Sequence, residues 1–301
     1  MDKVRIVTDS VADIPPDVAE RYGITVVPAY VIFGMRTYRD GVDLSSEEFY
    51  DKLETEKDLP KTSQPSPADF LAAFEKVSST GASIISVQPS GALSGTYASA
   101  CLARASLPHA DIDVVDTRQA TMAQGLVAVE AARAALLGLP KAEILQMVKG
   151  MVDRVKIYVS LDSLDFIVRS GRVGRARAII AQVLNIKPII TLTDGVLEPL
   201  DRVRGAARVI PRLVEMCTAR VQTARCRASV IHARAMNYAQ KLKEEVDRTL
   251  NTCSILASAG PAITANAGPG SYGVAVVDLP EKHPVPEDWG GRRSAQYQGI
   301  K

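Results

Sequence analysis

Residues 84–103, IISVQPSGALSGTYASACLA, have the pattern of a strand, a turn and a helix in succession. Residues 84–87 have the apolar composition of a buried strand, and residues 98–103 are typical of a helix. The glycines and hydroxyl residues at 90–97 connect the two. Such a turn leaves backbone N–H groups without acceptors, and the dipole of the following helix adds partial positive charge. The sequence therefore predicts an anion-binding turn.

Strands and helices alternate along the first half of the chain. Residues 4–7 and 112–116 have the pattern of strands, whereas apolar residues recur at helical spacing in 122–137 and 144–152. This alternation is typical of a doubly wound, mostly parallel sheet. Ligands of such sheets bind outside the carboxyl ends of the strands, which is where the anion-binding turn lies.

Residues after 155 are predicted to form an α+β domain. Two extended runs flank Asp194-Gly195 and predict a hairpin. The other predicted elements are strands at 156–160, 228–232 and 271–277 and helices at 164–169, 176–184, 205–221 and 236–250. The predicted fold is therefore α/β, with a Rossmann-like domain at residues 1–155, an α+β domain at 156–279 and an irregular tail, or a clasp on a partner, at 280–301.

Composition restricts the class of protein. With 301 residues, 47% of them hydrophobic, the chain is long enough for two modest cores. Its 36 basic and 34 acidic residues give a net charge of only +2, which does not favour nucleic acid or an anionic membrane as a partner. The four cysteines lack the spacing of a zinc site or a disulfide scaffold, so we expect no metal and no cofactor. No window suits a signal segment or a bilayer span, so a cytoplasmic protein without stable membrane insertion is expected.

Two further polar clusters follow predicted strands. Residues 8–10, Thr-Asp-Ser, lie just outside the carboxyl end of the first strand, where they could support a ligand. Asp13 is expected instead to cap the following helix. Ser66, which precedes a proline, is predicted to be a helix N-cap. Thr62 and Ser63 have no such role, so they either point into a cleft or bond to the local backbone.

A set of short motifs, taken together, resembles the DegV family. The motifs are Thr-Asp-Ser at 8–10, Thr-Ser-Gln-Pro at 62–65, Leu-Ser-Gly-Thr-Tyr at 93–97, Ser-Gly-Arg-Val at 170–173, Ile-Lys-Pro-Ile at 186–189 with Asp194-Gly195, Val-Arg-Gly at 203–205 and Gly-Pro-Gly at 268–270. They occur in the family's order across residues 3–279. Each motif alone is weak, but the ordered set is specific.

The resemblance implies a fold and a function. DegV proteins are two-domain α/β proteins that bury one long-chain fatty acid, such as palmitate or oleate, between the domains. In many bacteria such a protein is the binding subunit (FakB type) of fatty acid kinase, and the kinase subunit phosphorylates the carboxylate. By resemblance, this chain is a lipid-binding protein rather than an enzyme. Its ligand is a fatty acid, and its partner is a kinase subunit.

Matching the motifs residue by residue implies that Thr62 and Ser94, with Gly95 and Asn266, hold the fatty-acid carboxylate. Asn266 departs from the family, whose members commonly carry His there. Asn can donate to a carboxylate oxygen, but it cannot take up a proton near neutral pH. The departure leaves carboxylate binding possible and calls into question a proton-dependent or phosphoryl-transfer role for this position.

Four further residues are implied in supporting roles. Ser63 and Thr96 belong to the same two motifs as the carboxylate-binding hydroxyls. Arg172 and Arg204 match family arginines near the mouth of the cleft, where they would support the site or face a partner. Ordinary solvated arginines are the alternative interpretation.

The acyl chain requires an apolar tunnel. Burial gains about 0.8 kcal/mol per methylene, so a long chain can reach micromolar or tighter affinity even after ordering costs. Aliphatic residues that could line a tunnel, or simply pack in a core, include Ile84, Ile85, Leu126, Ile167, Ile179, Ile180 and Leu184.

Three other functions are compatible with parts of the sequence. A serine hydrolase using Ser94 is disfavoured because residues 91–95, GALSG, have one residue too many for the G-x-S-x-G elbow. Of the histidines, His109, His232 and His283, only His232 is expected to reach a cleft as a base. A nucleotide-binding enzyme lacks both glycine-rich phosphate motifs. A carrier of another hydrophobic carboxylate is the main alternative.

Overall fold

The computed structural model describes residues 3–56, 58–172, 186–223 and 225–286. The strands are β1 (Val4–Asp9), β2 (Thr25–Val27), β3 (Tyr30–Phe33), β4 (Arg36–Arg39), β5 (Lys61–Ser63), β6 (Ser83–Gln88), β7 (Ile112–Asp116), β8 (Lys156–Ser160), β9 (Ile186–Thr193), β10 (Val196–Arg204), β11 (Cys226–His232), β12 (Ile255–Ser258) and β13 (Tyr272–Asp278). The helices are α1 (Pro16–Tyr22), α2 (Ser46–Thr55), α3 (Pro67–Ser78), α4 (Thr96–Ala105), α5 (Thr121–Leu136), α6 (Lys141–Val152), α7 (Asp165–Arg169), α8 (Val209–Arg220), α9 (Met236–Leu250) and α10 (Pro261–Ala267).

Four strands of the first half form a parallel sheet with the order β2-β1-β6-β7. Both of its faces are covered, as alternate residues of β6 demonstrate. Ile84 packs with Phe70 and Phe74 of α3, whereas Ile85 packs with the buried residues of α5. A parallel sheet with helices on both faces is the predicted doubly wound arrangement, and the prediction is confirmed.

A small antiparallel sheet, with the order β4-β3-β5, lies beside the parallel one. Its core contains Val31 and Phe33 of β3 and Phe49 of α2. Thr62 on β5 pairs directly with Val31, which fixes the position of this hydroxyl residue. The helix that precedes β5 is held at its start by a capping box between Ser45 and Glu48.

The second half forms a mixed six-stranded sheet with the order β10-β9-β8-β13-β11-β12. All neighbouring strands are antiparallel except β11 and β12. The predicted hairpin at Asp194-Gly195 joins β9 and β10. One face of the sheet packs on α8 and α9 through residues such as Val230, Leu213 and Leu242. The opposite face turns toward the parallel sheet.

Helix α5 fills the space between the two sheets. It has 16 residues, and all from Thr121 to Ala134 are buried, so it has no solvent-facing side over that length. The same hydrophobic cluster contains Ile6 of β1, Leu126 of α5 and Ile231 of β11. The two sheets therefore share one core around this helix. We propose a domain boundary near residue 155, because the strands of the parallel sheet precede it and those of the six-stranded sheet follow it.

Polar residues of α5 hold the chain beyond residue 279 against this core. Glu130 has no solvent exposure and pairs with Arg133, Arg227 and His283. Both arginines also donate to the carbonyl oxygen of Pro286. The described part of the predicted tail, residues 280–286, thus packs on the protein's own core. Residues 287–301 lie outside the described residues.

Some local predictions were wrong or incomplete. Asp13 does not cap α1; Pro15 is at the N-cap position, and Asp13 instead bonds to distant groups described below. Sequence patterns did not predict β4, β5, β12 or α10, all of which are at most seven residues long. The helix predicted at 176–184 lies outside the described residues. Ser66 caps α3, as predicted.

Candidate functional site

A cavity lies between the six-stranded sheet and the carboxyl ends of the parallel strands. The space inside it, with the open mouth included, is about 1130 Å³. Much of the wall is aliphatic, with Ile157, Val159, Leu161, Ile190, Leu192 and Ile231 supplied by the six-stranded sheet and the residue after β8. A wall of this kind suits a long hydrocarbon chain.

Hydroxyl and amide side chains from three segments contribute to the same wall. Thr62 comes from β5, Ser94 from the turn before α4, and Asn266 from α10. The Asn266 amide donates to Ala262 O at 2.8 Å, and its Nδ2 also lies 3.5 Å from Thr62 Oγ1. Ser94 Oγ lies 2.8 Å from Thr96 Oγ1. The structure thus provides two polar pairs, Thr62 with Asn266 and Ser94 with Thr96, in an otherwise apolar cavity.

The turn at residues 90–96 is anchored mainly by bonds within the protein. Ser90 Oγ donates to Gly195 O at 2.7 Å, which ties the turn to the β9–β10 hairpin. The backbone N–H groups of Gly91, Ala92, Leu93, Ser94 and Thr96 all have acceptors, so the free N–H groups that were expected here are confined to Gly95 and the first turn of α4. The hydroxyl groups of Ser94 and Thr96 lie beside this first turn.

Three buried carboxyl groups, Asp9, Asp13 and Asp40, lie near one another, and Asp9 is a neighbour of Thr96 at the end of this turn. Burial raises the pKa of Asp9 to about 7; hydrogen bonds from Gln124 and Thr96 oppose the rise, and the charge of Asp40 adds to it. Burial likewise raises the pKa values of Asp13 and Asp40. Burial and the mutual repulsion of these carboxylates both disfavour the charged forms in this desolvated corner.

The other predicted site residues occupy different positions. Ser63 and Arg172 line the cavity, and Arg172 Nη1 donates to Ser170 O at 2.9 Å. Gly95 is the N-cap of α4 and packs against the Gln64 side chain rather than lining the cavity. Arg204 is exposed at the end of β10 and is not among the lining residues that the structure describes.

Of the aliphatic candidates from the sequence, Ile167 lines the cavity. Ile84, Ile85 and Leu126 pack in the cores of the described structure. The remaining three, at positions 179, 180 and 184, lie outside the described residues.

The histidines are not placed to activate Ser94. His109 is exposed after α4. His232 contributes to the cavity wall, but it pairs directly with Tyr272, whose ring stacks on Tyr238 of α9. The His232 side chain therefore shares the α9 face of β11, and burial lowers its pKa. His283 is bonded to Glu130 in the core.

The polar residues of α5 that approach this site were not predicted from the sequence. Gln124 Nε2 donates to Thr8 Oγ1 and to Asp9 Oδ1, each at 2.9 Å. Thr121 donates to Asp13 Oδ2 at 2.5 Å and lines the cavity. The sequence does contain a signal for Gln124. It is a polar side chain within a strongly apolar helix, and such a residue needs a polar partner when the helix is buried.

Within the described ranges, no group of three or more His, Cys, Asp or Glu side chains is arranged to hold a metal ion. None of the helices there combines the length and apolar composition needed to cross a bilayer.

These features define a class of α/β protein in which two large sheets share a central helix, a third sheet is small, and an apolar cavity lies beside a hydroxyl-lined turn. A family model described as "Uncharacterised protein, DegV family" matches residues 3–279. The chain belongs to the DegV family. A DegV domain-containing protein of Caldanaerobacter subterraneus is 37% identical over 276 residues, which cover 91% of this chain and 98% of that protein.

Solved structures of the same family are similar over nearly the whole chain. A structure titled as fatty acid binding of a DegV family protein from Thermus thermophilus has a TM-score of 0.86 at 29% identity and covers 92% of this chain and 100% of that one. A fatty acid (stearic acid)-binding protein from Eubacterium ventriosum has a TM-score of 0.84 at 25% identity and covers 92% and 98%. Structural neighbours of this chain thus bind fatty acids.

Proposed function

We propose that this chain binds one long-chain fatty acid, with its carboxylate at Thr62 and Ser94 and its acyl chain in the aliphatic cavity. The observation that carries the proposal is the grouping of Thr62, Ser94 and Asn266 in the wall of a cavity that is otherwise largely apolar. Long-chain fatty acids such as palmitate or oleate have the matching chemistry: one small polar group and a long hydrocarbon.

The polar residues are suited to a carboxylate without a buried cation. Hydroxyl and amide hydrogens bind a carboxylate through charge-assisted bonds. The start of α4 at Thr96 adds the partial positive charge of a helix N-terminus. One hydrogen of the Asn266 amide is held by Ala262 O, and the other, which faces Thr62 at 3.5 Å, is the one that a carboxylate would accept.

The apolar wall supplies most of the affinity in this proposal. Each buried methylene contributes about 0.8 kcal/mol, and the sum for a long chain exceeds the cost of ordering it. A ligand with a short chain would lose most of this contribution. The proposal therefore concerns long-chain rather than short-chain acids.

A serine hydrolase is a poorer interpretation of Ser94. The hydroxyl partner of Ser94 in the structure is Thr96, not a histidine. His232 presents its ring to α9, and His283 is bonded to Glu130. A nucleophile without a neighbouring base is weak.

We further propose that the loaded protein is the binding subunit of a cytoplasmic fatty acid kinase and presents the carboxylate to a kinase subunit. Arg204 is exposed, and Arg172 reaches the cavity wall, so one is placed to meet a partner and the other to stay near the ligand. A pull-down with a purified kinase subunit should recover the loaded protein, and Arg204→Ala should weaken recovery while leaving lipid binding unchanged. No recovery of the loaded protein would remove the kinase role only.

Native mass spectrometry of the freshly purified protein tests lipid binding directly, with denaturing extraction to identify the ligand. A stoichiometric fatty acid is the expected result, and its mass gives the chain length. A different hydrophobic carboxylate would redirect the proposal to that ligand. A protein that is empty and stays empty with palmitate and oleate would overturn it.

A further inference from the structure

Helix α10 belongs to the second half of the chain, but its first turn is held by two carboxyl groups of the first half. Gly260, the N-cap residue, has no side chain that could accept from the helix, and Pro261 has no N–H. Gly260 N donates to Asp13 Oδ1 at 2.8 Å, and Ala262 N donates to Asp40 Oδ1 at 3.4 Å. A Cβ atom on Gly260 would lie 3.2 Å from Asp40 Oδ1 and 3.3 Å from Asp13 Oδ1. Both carboxyl groups therefore lie against the start of this helix.

Asp40 is itself fixed in place by the residues around it. It is only 4% exposed, and its backbone N–H donates to Ala29 O at 2.8 Å. Its Oδ2 accepts from Ser10 Oγ at 2.7 Å, and Ser10 Oγ in turn accepts from Ala29 N at 3.0 Å. The backbone and the side chain of Asp40 are thus both tied to the residue that precedes β3. The other carboxylate oxygen, Oδ1, is the one that accepts from α10.

Ala262 connects Asp40 to the polar residues of the cavity. Its N–H donates to Asp40, and its carbonyl oxygen accepts from Asn266 Nδ2 at 2.8 Å. The same Nδ2 lies 3.5 Å from Thr62 Oγ1. Thr62 and Asp40 both belong to the small antiparallel sheet and its ends, since Thr62 pairs with Val31 of β3 and Asp40 follows β4. This sheet therefore fixes Thr62 directly and Asn266 through Asp40 and Ala262.

The apolar contacts of α10 with the small sheet fix its position less firmly. The buried residues of α10 in that core are Ala262 and Ala265. Their side chains are small, and apolar contact is non-directional. A hydrogen bond is directional, so the acceptors at the first turn determine where the helix begins on the sheet.

We propose that Asp40 is a positioning residue for the carboxylate site, which holds α10 so that the Asn266 amide and the Thr62 hydroxyl meet one ligand carboxylate. Without this acceptor the first turn of α10 shifts, and Asn266 loses its place beside Thr62. Thr62 and Ser94 remain as donors, so binding is weakened and not abolished. The inference rests on the proposed function.

Variants of Asp40 and its neighbours separate this role from general stability. Asp40→Ala removes the acceptor, whereas Asp40→Asn keeps an oxygen for Ala262 N and can donate its amide hydrogens to Ser10 Oγ. Ser10→Ala removes the donor that orients Asp40 and leaves the carboxyl group in place. Asp43→Ala is the matched control, because Asp43 is exposed in the same turn after β4 and is not among the cavity-lining residues that the structure describes.

The test is a double-variant cycle on the dissociation constant of delipidated protein for dodecanoate at pH 7. Asn266→Ala and Asp40→Ala should each weaken binding by about tenfold, as for one lost hydrogen bond to a charged group. In the Asn266→Ala background, Asp40→Ala should cause no further loss, because its effect passes through the Asn266 amide. Ser10→Ala should cause a smaller loss that also disappears in that background. Asp40→Asn should bind within about threefold of wild type, and Asp43→Ala should bind like wild type.

A purely structural role of Asp40 gives a different result, since a general loss of order weakens binding by the same factor with and without Asn266. Equal factors in the two backgrounds, or no loss in Asp40→Ala, would overturn the role of Asp40. If circular dichroism shows that Asp40→Ala does not fold, Ser10→Ala decides by the same two criteria. Full affinity in Asn266→Ala would overturn the inference and leave fatty-acid binding intact. Failure of wild type itself to bind dodecanoate would overturn the proposed function and this inference with it.

Discussion

Asp13 and Gly260 are joined by a hydrogen bond of 2.8 Å, although 247 residues separate them in the chain. Asp13 follows β1 in the first half, and Gly260 is the N-cap of α10, which carries Asn266 into the cavity wall. The other Asp13 oxygen accepts from Thr121 at the start of α5. One side chain therefore fixes α10 against both the parallel sheet and the central helix.

Replacing Asp13 by Ala should destabilise the protein. The change leaves the Gly260 N–H and the Thr121 hydroxyl without an acceptor, at about 1–3 kcal/mol for a buried group left unpaired. Asp13→Asn should cost less than about 1 kcal/mol, because burial raises the pKa of Asp13 and an amide replaces the neutral acid closely. Urea unfolding at pH 7 measures both. Asp58→Ala, at an exposed position, serves as the control; equal stabilities of the Ala and Asn variants would contradict the argument.

Ser94 and Thr62 should act on the same ligand group. Ser94→Ala is expected to weaken fatty-acid binding by about 1.5–3 kcal/mol, as for a lost hydrogen bond to a charged group, without unfolding the protein. Thr62→Val should have an effect of the same sign. In the double variant the losses should not add, because two donors to one carboxylate are coupled.

Titration calorimetry with dodecanoate gives the change in binding free energy for Ser94→Ala, Thr62→Val and the double variant relative to wild type. Ser106→Ala, at an exposed position just after α4, is the control and should bind like wild type. Strictly additive losses would place the two hydroxyls on different parts of the ligand. Full affinity in Ser94→Ala would place the carboxylate elsewhere in the cavity.

The parts of this fold that sequence predicts are those set by local chemistry. The capped start of α3 follows from Ser66 and the proline after it, and the β9–β10 hairpin follows from Asp194-Gly195. Helix α9 appears at the predicted residues because its apolar positions recur at helical spacing. Strand β6, the turn that carries Ser94 and helix α4 were likewise predicted from local sequence.

The parts that sequence did not predict depend on distant partners. Helix α10 is only seven residues long and too rich in small residues for a clear period, and its position is fixed by contacts with Asp13 and Asp40. Local pattern would place Asp13 at a helix cap. Glu130 would be expected on a solvent-facing side of α5, whereas a strand and a C-terminal segment far along the chain bring Arg227 and His283 to it.

Glu130 should make stability fall in acid. Burial by itself would raise its pKa, but the hydrogen bond with His283 and the charges of Arg227 and Arg133 outweigh burial and hold the pKa below its ordinary value. A carboxyl whose pKa is lower in the folded state stabilises above its unfolded pKa, and this contribution is lost as pH falls through the folded value.

Glu130→Gln should therefore cost about 3–5 kcal/mol at pH 7, as for a buried ion pair that loses one partner. The difference from wild type should shrink as pH falls below the ordinary range of a glutamate, and urea unfolding from pH 7 to pH 3 measures it. Glu245→Gln removes an exposed pair with Arg248 and should change stability little. A Glu130→Gln difference that is independent of pH would contradict the assigned ionisation.

Gly195 should not tolerate a side chain, because the hairpin turn meets the Ser90 turn there. Its φ is +79°, and a Cβ atom would lie 2.4 Å from Ser90 Oγ, which donates to Gly195 O. Gly41 has a similar φ of +70° but open space around it. Both alanine variants incur the left-handed backbone penalty of about 1–2 kcal/mol, and Gly195→Ala should lose about 1–3 kcal/mol more from overpacking and the strained Ser90 bond.

Because Ser90 anchors the turn that carries Ser94, Gly195→Ala should also weaken dodecanoate binding, whereas Gly41→Ala should not. Urea unfolding and calorimetric binding measured on the two variants separate the shared backbone penalty from the local clash. Equal losses of stability in both variants would mean that the Ser90 turn moves aside without cost. Unchanged dodecanoate affinity in Gly195→Ala would mean that Ser94 is positioned independently of the hairpin.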